Sequence, residues 1–300
     1  MKKLLALVLA TIMMLGCVAA FTACSDDSDL AYGKDCLAVA TQLDALNGLL
    51  KGDADIAVID SVMAGYYMNT GDTYKDFQIL PGVVLAEEQY GIGAKKGNDA
   101  LIGKINEALI AIKDTDYQTV AAKYGLTTEL LVNASTTNPQ AAATDASWTN
   151  IINAATPKLV IGYTKFAPIA YDEGDGANAQ LVGFDIELAK AVVNYLNTTY
   201  STNIEIEFMV IDWNQKESLL ENGTIDLVWN GMTITDERKT NMAMSVPYLA
   251  NKQVAVVKKS EAAEWGSTLK EFEKNTKDCI FIVEKGSAGE SIVAPETEEE

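Results

Sequence analysis

Twice in this chain the end of an apolar helix runs through a glycine and an aspartate into a short apolar strand. That repeat restricts the fold more than any other feature. The first copy is Leu49-Leu50-Lys51-Gly52-Asp53-Ala54-Asp55-Ile56-Ala57-Val58, and the second is Leu219-Leu220-Glu221-Asn222-Gly223-Thr224-Ile225-Asp226-Leu227-Val228. Leu43, Leu46, Leu49 and Leu50 have helical spacing, and Gly52 stands where a left-handed C-cap ends a helix. Ile56 to Ile59 lacks polar alternation, which is the pattern of a parallel strand buried on both faces.

The same alternation runs through most of the chain. Residues 37–60 read as strand, helix, strand. Residues 99–113 form an amphipathic helix with Leu101, Ile102, Ile105, Leu109 and Ile112 on one face, and Tyr117 to Tyr124 a second that ends at Gly125. Strands are predicted at Leu159–Ile161, Ile204–Val210, Ile225–Trp229, Asn251–Val257 and Ile280–Val283, with a helix over Phe184–Leu196. Residues 133–147 are rich in Ser, Thr, Asn, Ala and Asp and read as a linker. Strands alternating with helices imply an α/β fold with mainly parallel sheets. In such sheets the ligand crevice lies beyond the carboxyl ends of the strands. The two repeat copies end in Asp60-Ser61 and in Asn230-Gly231-Met232-Thr233, so they predict two half-sites facing one cleft.

Composition narrows the function. The chain has 300 residues, 48% of them hydrophobic, which is enough for two domains. Its net charge of −19 excludes a nucleic-acid binder, whose affinity comes from basic contacts. There is no histidine, which removes the commonest general base and most zinc sites. Cys17, Cys24, Cys36 and Cys279 contain no CxxC spacing, so no metal or cofactor motif is expected.

The first residues read as an export signal. Lys2 and Lys3 precede an apolar run from Leu4 to Leu15, too short for a comfortable membrane span. Ala20-Phe21-Thr22-Ala23-Cys24, followed by polar residues, resembles a bacterial lipobox with Cys24 as the lipidated residue, and Met14-Leu15-Gly16-Cys17 is a rival site. A lipid anchor on the outer side of the cytoplasmic membrane follows from the first reading; an ordinary cleaved signal with a free cysteine is the alternative.

At Asn230-Gly231-Met232-Thr233-Ile234-Thr235-Asp236-Glu237-Arg238 the chain resembles the periplasmic amino-acid-binding proteins of ABC importers. The resemblance extends to Phe166-Ala167-Pro168, Gly183-Phe184-Asp185, Asp212-Trp213, Ser245-Val246-Pro247-Tyr248, Gly286-Ser287-Ala288-Gly289, Asp55 to Asp60, Tyr90 to Gly97 and Lys123-Tyr124-Gly125. The segments stand in a different order from that family, in which the aromatic-Ala-Pro segment comes first and the Lys-Tyr-Gly helix last. A circular permutation accounts for this; a slice through a tandem array or a gene artefact are the alternatives. The resemblance implies a two-lobe fold of the periplasmic-binding-protein type (type II). Residues 1–24 would be the leader and 30–92 the first segment of lobe II. Residues 93–132 would be helices of lobe I, 133–156 the linker, 157–255 the body of lobe I, and 256–300 the second segment of lobe II.

It also implies a site. Arg238 offers a planar fork for the carboxylate of an amino acid, with Thr233 and the amides of Ser287, Ala288 and Gly289 beside it. Asp60 matches the residue that takes the ammonium group, although it is also placed to cap a helix. Phe166 and Trp213 match the aromatic walls, or pack in the core. Asn230 and the Gly231 carbonyl complete the set. Tyr163 replaces a position that is often polar or acidic, and the matched positions hold no further acid, so a neutral polar amino acid is implied. Cys36 and Cys279 each follow Lys-Asp and each open a strand, so they are either a disulfide or two separate thiols. The function implied is that of a monomeric lipoprotein that passes an amino acid to a membrane permease without catalysis. A dehydratase-like enzyme on the same fold and a ligand-sensing module are the competing readings.

Overall fold

A computed structural model describes Thr22–Ala23, residues 30–174 and residues 176–295. Most of the leader, with Cys17 and Cys24, lies outside the described residues. The strands are β1 (Thr22–Ala23), β2 (Asp35–Val39), β3 (Ile56–Asp60), β4 (Phe77–Lys95), β5 (Lys158–Tyr163), β6 (Tyr171–Glu173), β7 (Gln180–Val182), β8 (Glu205–Val210), β9 (Leu227–Thr233), β10 (Met242–Met244), β11 (Leu249–Lys258) and β12 (Ile280–Glu284). The helices are α1 (Gln42–Lys51), α2 (Ser61–Asn69), α3 (Asp99–Ala111), α4 (Asp116–Tyr124), α5 (Ser147–Ile152), α6 (Phe184–Tyr200), α7 (Lys216–Glu221), α8 (Asp236–Asn241), α9 (Leu269–Asn275) and α10 (Ala288–Val293).

The main sheet runs β1-β2-β12-β3-β11-β4-β9-β5-β8, with β10 also paired to β4. Its flanks are parallel: β12 lies between β2 and β3, and β5 between β8 and β9. Its centre is antiparallel, where β11 runs against both β3 and β4, and β4 against β9. The sheet is therefore mixed. Two parallel α/β halves are joined by two long strands that belong to both. Helix α1 packs on β3 and β12 in one half, while α6 and α7 pack on β9 in the other. Each half has its own apolar core. Leu46, Leu49, Ala57, Ile59 and Ile282 fill one side of the first, and Leu101, Ile105, Phe184, Val192 and Trp229 fill the second.

The helix stops follow the sequence. Gly52 has φ +83° and donates back to Gly48 and Leu49, as a left-handed cap should. β4 is longer than its sequence suggests, because Pro81 and Gly82 break the apolar pattern; the pairing with β11 shifts register between Val254 and Val256 and absorbs them.

Two expectations need correction. The segment 133–156 is fastened to the body, not a free linker. Asn138 donates to the Gly103 carbonyl (2.7 Å), Asp145 accepts from the Ala100 amide (2.7 Å), and Trp148 of α5 is buried against Tyr200 with ring centroids 5.5 Å apart. Its small polar side chains, read as loop formers, serve as hydrogen-bonding partners for α3. Cys36 and Cys279 are not joined by a disulfide. Cys36 lies on β2 and Cys279 just precedes the adjacent parallel β12, but Cys36 is in register with Phe281, two residues past Cys279. Burial pushes the Cys279 thiol up to about 11.

Candidate ligand-binding cleft

The carboxyl ends of β3, β5, β8, β9 and β12 converge on one cleft between the halves. Asp60 ends β3, Thr233 ends β9 and Glu284 ends β12; Thr164 to Phe166 follow β5, and Trp213 follows β8. The strand-end rule thus gathers residues far apart in sequence. Of the ten residues proposed from sequence, Asp60, Phe166, Trp213, Asn230, Gly231, Thr233, Arg238, Ser287 and Ala288 line the cleft. Gly289 does not. α10 presses that position onto the sheet, and a Cβ there would stand 3.1 Å from the Val58 carbonyl.

Asp60 is 3% exposed and stands at the N-cap position of α2, yet its side chain makes no capping bond. Instead the side-chain amides of Gln42, Asn251 and Gln253 donate to its carboxylate. Asn251 and Gln253 also donate to the buried Glu88, at 2.8 and 3.0 Å. Two carboxylates therefore share neutral donors. Burial, and then the charge of Glu88, pushes the Asp60 carboxyl up to about 7.

Arg238 enters from the opposite half. Thr235 caps α8 by accepting from the Arg238 amide at 3.1 Å, which fixes the start of the helix. The guanidinium is buried and donates to the carbonyls of Thr233 (2.8 Å) and Gly286 (3.2 Å). Among the described residues no carboxylate lies within ion-pair distance of it. Burial depresses its pKa, against the opposing pull of the acids Glu88, Glu217, Glu237 and Asp60. Lys216 lies beside it, also buried, and donates to Gly286 at 3.1 Å; burial, and then the charge of Arg238, brings it down to about 8.

Gly231 forms a wall of the cleft and has φ +61°. A Cβ there would meet Phe166 at 2.7 Å and Tyr90 at 3.0 Å, so only glycine fits. Its amide donates to Asp185 at 2.7 Å, and the Tyr248 hydroxyl donates to the same oxygen at 2.7 Å. Asp185 is thus a buried support for the wall, and burial pushes its carboxyl up to about 7. The Asn230 amide is 2.7 Å from the Thr164 hydroxyl, which holds it in place. Ser287 caps α10 by accepting from Glu290, whose carboxylate accepts from the Gly286 amide at 2.6 Å.

Sequence reasoning passed over Gln42, Gln253 and Glu284, all of which line the cleft. Glu284 had a signal: it ends a buried strand as Asp60 does. The implied neutral side chain rested on the pocket positions holding no further acid, and Glu284 removes that premise. The two glutamines gave no signal, since only the sheet order brings them beside Asp60.

The arrangement offers a buried cation to an anion and a buried carboxylate to a cation, between aromatic walls. Residues 159–289 match the bacterial extracellular solute-binding proteins, family 3. The chain is 33% identical over 121 residues to a probable histidine-binding protein of Neisseria gonorrhoeae, covering 40% of this chain and 43% of that one. It is 35% identical over 108 residues to the arginine-binding extracellular protein ArtP of Bacillus subtilis, covering 36% and 38%. A solved polar amino acid ABC uptake transporter substrate binding protein from Streptococcus thermophilus is 39% identical over 33% of each chain, with a TM-score of 0.26. The chain thus spans less than half the length of the curated relatives it matches. That family consists of solute-binding proteins, not enzymes. The similarity to family 3 of the bacterial extracellular solute-binding proteins is thus carried by residues 159–289.

Proposed function

We propose that this chain captures an amino acid in the cleft, outside the cytoplasmic membrane, and delivers it to the permease of an ABC importer. The observation that carries the reading is the pairing, in one cleft, of the buried guanidinium of Arg238, which lacks a carboxylate partner among the described residues, with the buried Asp60 carboxylate, which is held by neutral amides. A free amino acid presents the two opposite charges a short distance apart. Its carboxylate takes the open N–H donors of Arg238 with help from Thr233 and the Ser287–Ala288 segment. Its ammonium takes Asp60, with the Gly231 carbonyl as a second acceptor. Phe166 and Trp213 exclude water from both pairs.

β4 and β11 both pass between the halves, so bending at two strands accounts for opening and closing. Lipidation at Cys24 holds a monomer at the membrane. The order of the segments is a circular permutation. The adjacency of the described ends supports this, with the Ala31 amide donating to the Val293 carbonyl at 2.8 Å. A permuted chain also aligns collinearly with its relatives over only part of its length.

Calorimetric titration of the purified chain with each of the twenty amino acids tests the reading. Binding of one or a few with heat that vanishes in Asp60→Ala supports it. A folded chain that binds none of them removes it.

A further inference from the structure

Glu284 stands at the end of β12, 5% exposed, and lines the cleft with Asp60, Gln42 and Ser287. It forms no ion pair among the described residues. Asp60 has a defined set of donors in Gln42, Asn251 and Gln253, and an ammonium group completes it. Glu284 then remains as a second acceptor in the same dry space.

The fixed charges around the cleft give the sign of what it accepts. Of the charged residues that line it, Asp60 and Glu284 are buried acids and Arg238 is the buried base. Lys165 also lines the cleft, but it is paired with Asp172 at 2.5 Å and adds nothing. With these three groups ionised, the form that an arriving cation favours, the cleft lining carries one negative charge in excess. A zwitterionic amino acid leaves that excess in place, in a closed site where an uncompensated charge is costly. A ligand with one additional positive charge removes it. Phe166 and Trp213 are compatible with this, because aromatic faces attract cations.

We propose that Glu284 accepts the cationic side-chain group of the ligand, so that the cleft selects a basic amino acid. The proposal rests on the amino-acid reading given above. It makes Glu284 the residue that sets specificity, while Asp60 and Arg238 hold the groups common to every amino acid.

The test compares arginine, lysine, citrulline and glutamine by calorimetry on the purified chain and on Glu284→Gln. Arginine and citrulline are nearly the same shape and differ in charge. The expected result is a preference of about 100-fold or more for arginine or lysine over the neutral pair, reduced to within about 3-fold in Glu284→Gln. Glu284→Asp, which keeps the charge, should retain the preference. Equal binding of a neutral amino acid by the wild-type chain and Glu284→Gln, with no advantage for arginine or lysine, overturns the proposal and leaves the amino-acid reading standing. Failure of the wild-type chain to bind any amino acid overturns both. If Glu284→Gln does not fold, the wild-type comparison decides alone: arginine and lysine held within about 3-fold of citrulline and glutamine overturn the proposal.

Discussion

Arg238 reaches across the cleft to Gly286, its Nη2 standing 3.2 Å from the Gly286 carbonyl oxygen. Arg238 belongs to α8, beside β9, and Gly286 follows β12 in the other half. Lys216 of α7 donates to the same oxygen at 3.1 Å. The group assigned to the ligand carboxylate is therefore also one of two cations that tie the halves together.

Because Lys216 does not line the cleft, its removal should affect closure and leave ligand recognition intact. Lys216→Met is expected to weaken ligand binding about 3- to 10-fold, through a smaller closed population, without changing the order of preference among amino acids. Its melting temperature should stay within about 3 °C of wild type, since replacing a buried charge by a well-fitting apolar side chain is often neutral. Calorimetry and thermal melting read these separately. A changed order of preference would place Lys216 in direct contact with ligand.

The ligand-free chain should lose stability as pH rises from about 5 to 8. Burial raises Asp60 and Asp185 to about 7 and Glu284 to about 8, all above their unfolded values. A raised folded pKa gives stability that is complete below the unfolded pKa and lost as pH passes the folded one. A loss of ~2 kcal/mol or more, roughly 5 °C, is expected over that range. Lys216, depressed to about 8, acts in the opposite direction above that pH. Melting curves without ligand check this, and a flat or rising profile would contradict the account of buried acids.

Gly231→Ala should damage the cleft wall. The positive φ costs an alanine about 1 kcal/mol, and the overlap with Phe166 about 1–3 kcal/mol more. Denaturant unfolding should show a loss of ~2–4 kcal/mol together with weakened binding. A stable variant with normal affinity would mean that Phe166 is free to move away.

Trp148→Ala tests whether segment 133–156 is part of the folded body. Loss of a buried aromatic should cost about 3 kcal/mol. If the segment behaves as a linker, the substitution will not change the unfolding midpoint.

Elements with a strong period were legible from sequence. Ile56 to Ile59 and Leu43 to Leu50 each satisfy one pattern, and tertiary contacts reinforce it. β4 was not, because Pro81, Gly82 and the acidic Glu87-Glu88 hide a strand whose pairing tolerates a bulge. The 133–156 segment misled for a related reason: Ser, Asn and Asp satisfy loop chemistry and helix-docking chemistry alike, and only the partners on α3 distinguish them. In the site, Asp60, Thr233 and Arg238 were singled out by the resemblance to the amino-acid-binding family, and for Asp60 and Thr233 a place at a strand end agreed with it. Gln42, Asn251 and Gln253 were not, since their role depends on β11 lying beside β3, a pairing between residues nearly two hundred positions apart.

The most direct test of the central claim compares the preferred amino acid with its α-carboxamide derivative, on the wild-type chain and on Arg238→Met, by calorimetry. If Arg238 holds the ligand carboxylate, the wild-type chain should bind the carboxamide about 100-fold or more weakly, and Arg238→Met should bind both compounds weakly and alike. An equal penalty for the carboxamide in both proteins would contradict the claim, because the carboxylate would then be recognised by some other group.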